Sequence, residues 1–422
     1  MNQVLLPNLF FEEELLASAT ARSPQARRIV ADLGPVMGLL SGGGIASPPM
    51  GRSSDFQRTI VIVDNSNRPT ELPTILQGVE YRTAAEVAAI VAETATRDSP
   101  DPGGWEAIAW GWSESAVRTL RNAGLQVNAP DPSVVRTINS RQFQAQFDVA
   151  LDSGGVEQIE SFGTLCRSIP KVVSAVQAGY EFAGLGWVIK ADLSHAARNR
   201  LLGTSPILTA SHLAWLESRF ALGEYVYVEP WVVRIDESGL QFQLHPSNNA
   251  SSVVEFVGKA QMLTDKVGRY LGSFVQKNSD RDELWEQAID HGYRVADAAA
   301  ALGYFGPLGI DCMLFRNPHS RALTLLRLSH DINGRLTMGR LALSLKKFAE
   351  PEETVVWIHA PTNRAENEKD ECDRYLARGV RIIPTSPGLI GAAPPATRTL
   401  LVASRNIELL RAACREIPRH DV

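Results

Sequence analysis

Cysteine is scarce in this chain. There are four in 422 residues, Cys166, Cys312, Cys372 and Cys414, and no two stand as a C-x-x-C pair. Such spacing offers neither a disulfide framework nor a zinc knuckle, and it suits a reducing cytoplasm. No apolar run approaches the ~20 residues needed to span a bilayer, so a membrane is not an expected partner. The opening MNQVLLPNLFFEEELL has no basic stretch before its apolar residues and does not read as a secretory signal. Positive charge is not in excess either. With 42 basic and 47 acidic side chains the net charge is −5, and nucleic acid is not an expected partner. Internal repeats and long low-complexity segments are missing. The glycines of SGGGIASPPMGRSS, residues 41–54, lack the Gly-Lys-Ser/Thr ending of a phosphate loop, so this stretch reads as a plain loop.

What is present is ordinary globular material, 44% hydrophobic and 21% charged, with length for two or three domains. Over residues 1–130 strands alternate with helices. Residues 59–63 (TIVIV), 108–110 and 125–127 read as strands, and 83–94 as a helix. Ser113 or Ser115 caps a second helix that holds Val117 and Leu120. This alternation predicts a mostly parallel sheet, in which ligands sit beyond the carboxyl ends of strands. Trp112 lies at such an end and is either a substrate contact or core. Pro130, Asp131 and Pro132 mark a boundary. Asn139 or Ser140 then caps a helix running to Gly154.

Residues 187–192 (WVIKAD) form a strand with Lys190 inside it. An ammonium among apolar neighbours needs a partner, because leaving it unpaired is costly. A nucleotide phosphate is one such partner; an exposed strand face is the alternative. Residues 225–235 read as one long strand, 241–257 as two more around a turn at 246–249, and 280–302 as an amphipathic helix stopped by Gly303. Residues 351–422 read as a further α/β unit. Its strands fall at 355–358, 381–383 and 399–403, and its helices near 363–378 and 407–415.

The most informative stretch is residues 306–339. Strands at 310–315 and 324–333 are separated by Asn317 and Pro318. Period-two alternation puts Leu326, Leu328, His330 and Ile332 on one face of the second strand, and Arg327, Ser329, Asp331 and Asn333 on the other. If the strands pair, Asp311, Asp331 and Asn333 bring three oxygen ligands together, the set a hard cation such as Mg²⁺ takes alongside phosphate oxygens.

The pattern G-x-D followed by a strand ending D-I-N-G-R resembles the metal-binding end of the ATP-grasp ligases. That family carries an acidic residue on one strand, Glu-x-Asn on the next and a basic residue after it. Asp311, Asp331, Asn333 and Arg335 take those places, with Asp331 where Glu is usual. The resemblance implies an α/β (α+β) ATP-grasp fold, with an N-terminal α/β pre-ATP-grasp domain over 1–130. The ATP-grasp domain would span 131–348, and a small C-terminal α/β extension 349–422.

The resemblance further implies that Arg141 and Lys190 contact the nucleotide phosphates. Glu229, Trp231 and Val232 would form the hinge beside adenine, with Trp231 or Val232 donating because Pro230 has no N–H. In TDKVGRYLGS, Lys266, Arg269 and Tyr270 would orient a substrate carboxylate. After Lys190 the family's Gly/Ser lid is replaced by SHAARNR. The implied cofactors are ATP and Mg²⁺, with Mn²⁺ as a substitute. The implied reaction joins a small-molecule carboxylate to an amine through an acylphosphate, with Arg335 and Lys190 stabilising the moving phosphoryl group. Other readings are a kinase-like phosphotransferase on the same fold, a non-catalytic nucleotide-binding module, and an interaction protein with an incidental acidic cluster. Homo-oligomerisation through residues 349–422 stays open.

Overall fold

The computed structural model describes residues 2–16, 24–41, 58–94, 104–152, 158–160, 162–193, 199–246, 253–276, 282–319, 324–362 and 368–417. Most of the glycine-rich stretch 41–54, residues 194–198 after Lys190, the turn at 247–249 and the first residues of the expected helices at 280 and 363 lie outside them. The chain divides into two compact units. One comprises Met1–Pro132, Met262–Asn278 and Arg335–Val422; the other comprises Ser133–Gln261 and Ser279–Gly334.

The first unit opens with four parallel strands, β1 (Asn2–Leu6), β2 (Arg58–Ile62), β3 (Val79–Arg82) and β4 (Trp105–Ala109), in the order β3-β2-β1-β4. Val4 faces Ile60 on one side and Ala107 on the other. Val4, Leu5, Ile60 and Val61 are fully buried. Continuous apolar runs are what a parallel strand covered on both faces requires. Helix α1 (Ala84–Thr94) follows β3, and α2 (Glu114–Asn122) follows β4. Ser113 Oγ accepts from Ala116 N at 3.1 Å, as an N-cap should.

The strand expected at 125–127 does not form. Gly124 turns with φ +78°, and the Leu125 N–H bonds back to the Leu120 carbonyl at 3.2 Å. That helix closure consumes the donor a ladder would need.

The rest of the first unit is antiparallel. Thr397–Ser404 lies between Arg381–Pro384 and Thr354–Pro361, which pairs in turn with Tyr270–Gln276. Val356, Leu400 and Val402 pack against Tyr375 and Leu410 from the two C-terminal helices, Glu368–Leu376 and Ile407–Glu416. The strands and helices expected over 351–422 are therefore present, with bounds moved by a few residues.

The second unit holds two sheets. In the first, β5 (Trp187–Ala191) and β6 (Val226–Pro230) pair antiparallel, flanked by Arg200–Gly203 and Thr164–Cys166. Ile189, Val226 and Val228 pack on Val172, Val176 and Leu216 of the covering helices Ile169–Ala183 and Ala210–Ala221. Alternation then turns Lys190, Tyr227 and Glu229 to the opposite face.

The second sheet runs in the order β8 (Val253–Thr264, of which 253–261 belong to this unit), β7 (Arg234–His245), β9 (Gly306–Arg316), β10 (Thr324–Asn333) and Val149–Asp152. Helix α3 (Asp282–Ala301) covers it, with Ala288, Val295 and Ala299 fully buried. Gly292 lets the helix approach closely: a Cβ there would stand 2.6 Å from the Phe242 ring.

Two expectations are corrected here. Residues 225–235 are not one strand. The run breaks at Trp231–Val233, and β6 and β7 belong to different sheets. Pro230 supplies the stop, having no N–H to extend the ladder. The helix expected from 140 to 154 ends after Arg141–Gln144, and Val149–Asp152 instead pairs with β10. No helix among the described residues is long and apolar enough to cross a membrane.

Candidate functional site

Chemistry-bearing side chains of the second unit gather on the polar face of the β5–β6 pair and the facing side of β9 and β10. Lys190 stands opposite Tyr227, and Glu229 is its diagonal neighbour. Lys190 Nζ lies 2.8 Å from Glu229 Oε1. Burial lowers the lysine pKa, and the Glu229 charge partly opposes this.

Glu229 is shared. Arg327 of β10 donates to its second oxygen at 3.1 Å, and grips Asp148 with two further bonds of 2.6 and 2.7 Å. Tyr227 OH and Gly163 N also donate to Asp148. Arg327 and Asp148 are 1% and 0% exposed, and an unpaired charge at that depth would be strongly unfavourable. Burial pushes the Glu229 carboxyl up, but the Arg327 and Lys190 charges outweigh it, and its pKa falls well below the usual range.

The oxygen cluster forms on the paired strands. Asp311 faces Asp331 directly across β9 and β10, and Gly309 faces Asn333. Asn333 Nδ2 is 3.4 Å from Asp311 Oδ2. Arg141, positioned by the Ser140 N-cap, donates to Asp331 at 2.8 and 3.4 Å. Burial raises the Asp331 pKa, and Arg141 followed by Lys190 reverses this to a net lowering. Asp331 keeps a quarter of its side chain exposed while Arg141 keeps 3%. The acid is therefore open to a ligand and the base is fixed behind it.

A β-bulge changes one sequence-based assignment. Between Asp311 and Met313, β10 advances from Asp331 to Arg327, so its strict alternation fails there. Ser329 turns toward α3, donating to the Phe147 carbonyl at 2.6 Å and lying 3.4 Å from His291. His330, expected on the opposite face from Asp331, instead brings Nε2 to 3.8 Å from Glu237 Oε1. Burial, and then the Lys190 charge, lower its pKa to about 4. Its neutral ring belongs with the charged cluster. Glu237 is held in turn by Arg234, whose guanidinium lies 5.5 Å from the Trp231 ring.

At the break after β6, Trp231 N–H donates to the Gly186 carbonyl at 2.9 Å. Of the two hinge donors considered from the sequence, Trp231 is thus committed to the protein itself. Val232 packs with Phe162, Met313 and Phe315. The structure brings together Arg141, Lys190, Glu229, Asp311, Asp331 and Asn333 in one unit.

Arg335, Lys266, Arg269, Tyr270 and Trp112 belong to the other unit. There Arg335 pairs with Glu12. Arg269 pairs with Asp265 at 2.6 Å, Lys266 is exposed in the same turn, and Tyr270 OH meets Ser273 Oγ at 2.8 Å. Trp112 is 7% exposed. Sequence reasoning missed Asp148 and the burial of Arg327. The available signal was an arginine inside an apolar strand, the same anomaly that singled out Lys190.

Two carboxylates and a carboxamide are hard oxygen donors, the chemistry Mg²⁺ or Mn²⁺ takes. No group of three His, Cys, Asp or Glu side chains among the described residues is arranged to hold a metal. Ligands beyond this donor set would have to complete an ion's shell. The set fits a cation that arrives with a polyphosphate.

No protein-family model matches the chain, and no curated protein matches it. Solved structures do. N5-carboxyaminoimidazole ribonucleotide synthetase from Thermus thermophilus shares 14% identity over 99% of each chain, with a TM-score of 0.51. N5-carboxyaminoimidazole synthetase from Staphylococcus aureus, complexed with ADP, shares 9% over 98% of this chain and 96% of its own, at 0.51. Biotin carboxylase from Campylobacter jejuni, in a β-γ-ATP complex, shares 12% over 99% of this chain and 90% of its own, at 0.50. The likeness spans nearly the whole chain and shows a shared fold.

Proposed function

We propose that this chain, whose fold is that of the ATP-grasp proteins, binds Mg–ATP in its second unit and joins a carboxylate to an amine. In this reading residues 131–348 form the ATP-grasp portion, between an N-terminal α/β domain (1–130) and a C-terminal extension (349–422). The observation that carries the proposal is the cross-strand pair Asp311–Asp331, with Asn333 bonded to the first and Arg141 to the second.

A buried ion pair is retained only while both charges are satisfied. Mg–ATP would satisfy both at once: Asp311, Asp331 and Asn333 would hold the cation, and Lys190 and Arg141 would supply positive charge toward phosphate oxygens. A bound ion would supply positive charge against the triphosphate, which otherwise repels a carboxylate. Val232 N–H is the hinge donor left for the adenine ring once Trp231 has bonded to Gly186. Lys190 is assigned to the charge on the phosphoryl group in flight; Arg335, paired with Glu12, and Lys266, Arg269, Tyr270 and Trp112 lie in the other unit and take no part in this assignment.

The substrate carboxylate oxygen attacks the γ-phosphorus, and the bond to ADP breaks. The amine lone pair then attacks the acyl carbon, phosphate leaves, and the amine gives up a proton. This is catalysis by positioning and electrostatics, with no covalent protein nucleophile.

The test is an ADP-release screen that pairs carboxylic acids with amines at fixed Mg–ATP, with hydroxylamine as trap. ADP and a hydroxamate are expected. Asp331→Ala should abolish both while leaving the circular dichroism spectrum unchanged. A stable phosphorylated product without hydroxamate would replace the ligase by a phosphotransferase. ATP binding with no turnover across the panel would replace it by a nucleotide-binding module, a reading favoured by SHAARNR in place of a Gly/Ser lid after Lys190 and by Asp331 where Glu is usual.

A further inference from the structure

Asp331 already has a cation of the protein's own. Arg141 Nη1 donates to Asp331 Oδ1 at 2.8 Å and Arg141 Nη2 to Oδ2 at 3.4 Å, so one guanidinium fork spans both carboxylate oxygens. Those are the oxygens a metal ion would take. Lys190 adds a second positive charge acting on the same carboxylate.

The fork is fixed in place. The Arg141 backbone N–H donates to Asp192 Oδ1 at 3.0 Å, and Nη1 also donates to Gln144 Oε1 at the end of the same short helix. Gln144 Nε2 donates in turn to the His330 carbonyl at 2.7 Å, on the residue next to Asp331. The helix that carries Arg141 is thereby tied to the strand that carries Asp331. A planar guanidinium held this way gives up little freedom to keep its pair.

A divalent ion arriving alone would have to take the carboxylate from a buried guanidinium, which is costly. It would also meet the repulsion of two nearby cations. A metal that arrives on a polyphosphate meets a different balance. Phosphate oxygens match the guanidinium fork as well as a carboxylate does, so Arg141 gains an acceptor where it yields one.

We infer that Arg141 decides which form of the metal this site accepts: it keeps free divalent ions off Asp331 and admits the ion only together with a polyphosphate. The inference rests on the nucleotide site of the proposed function and adds an order of binding to it.

The probe is Mn²⁺ alone, titrated into the full chain without nucleotide and read by electron paramagnetic resonance as loss of the free-ion signal. Wild type and Asp331→Asn should bind it equally poorly, because the carboxylate is already taken. Arg141→Met keeps the stem and removes the charge. Asp331 retains a quarter of its side chain in water, so this variant should fold, which circular dichroism checks. It should bind Mn²⁺ about tenfold more tightly than wild type, and adding Asp331→Asn should erase the gain. Arg141→Lys keeps the charge and should stay within about threefold of wild type. Mn²⁺ binding by wild type that is lost in Asp331→Asn would overturn the inference without recourse to any Arg141 variant. So would an Arg141→Met chain that folds and gains nothing. ADP release in the ligase screen with no gain in Arg141→Met sinks this inference alone. ATP binding without turnover, with the gain present, sinks the ligase and keeps the order of binding.

Discussion

Arg327 shows what a single buried charge demands. Its guanidinium is held by Asp148 and Glu229 and lies 4.5 Å from the Phe162 ring centroid. Arg327→Met keeps the volume and removes the charge, leaving Asp148 buried with only Tyr227 and Gly163 as donors. The expected cost is about 3–5 kcal/mol, the range for breaking a buried pair from one side. Urea unfolding measures it, and a loss under about 1 kcal/mol would mean that Arg327 is not the keystone of the cluster. The double replacement Arg327→Met with Asp148→Leu should recover part of the loss, since no orphan charge remains.

Among the strands, β7 and β9 set the spacing of the oxygen cluster. Gly239 on β7 faces Asp311, and a Cβ there would stand 3.3 Å from Asp311 Oδ1 and 3.1 Å from Gln241 Nε2. Both neighbours must yield by a few tenths of an ångström. Gly239→Ala is therefore expected to displace the carboxylate and raise the Mg²⁺ concentration for half-maximal ADP release several-fold. Strand propensity favours alanine, so thermal stability should change little. An unchanged Mg²⁺ requirement would count against Asp311 as a ligand.

The sequence was legible at this scale where alternation was regular. Asp311, Asp331 and Asn333 were placed together because β9 and β10 keep their pairing at that end. It misled at the bulge, where two residues on β10 slip past the alternation and exchange the sides of Ser329 and His330. The early stop at Pro230 comes from a missing ladder donor, a signal masked by the β-branched and aromatic residues on both sides of it. Asp148 was hidden because its partner, Arg327, lies 179 positions away.

For the whole molecule, acid should act on both units. His291, in the second unit, and His359, in the first, have pKa values lowered from 6.5 to about 4, chiefly by burial. An unfolded histidine takes its proton first, so stability is full above pH 6.5 and is lost as pH falls toward 4. Glu229 and Asp331, held below their ordinary 4.5 and 3.8, add a loss only at still lower pH. Denaturation midpoints should therefore drop steadily from about pH 7 to pH 4.5. His359→Gln should flatten the part due to the first unit. A flat midpoint over that range would refute the buried neutral histidines.

The pairing of Arg141 with Asp331 and of Lys190 with Glu229 also shapes kinetics. Each cation is cancelled locally before any nucleotide arrives, and the chain as a whole carries −5. Such a centre casts no long-range attraction on a triphosphate. Encounter should be unsteered, so stopped-flow on-rates with a fluorescent ATP analogue should vary less than about twofold between roughly 0.05 and 0.3 M salt. Tightness would then be written in residence time, set by how slowly the internal partners reclaim one another.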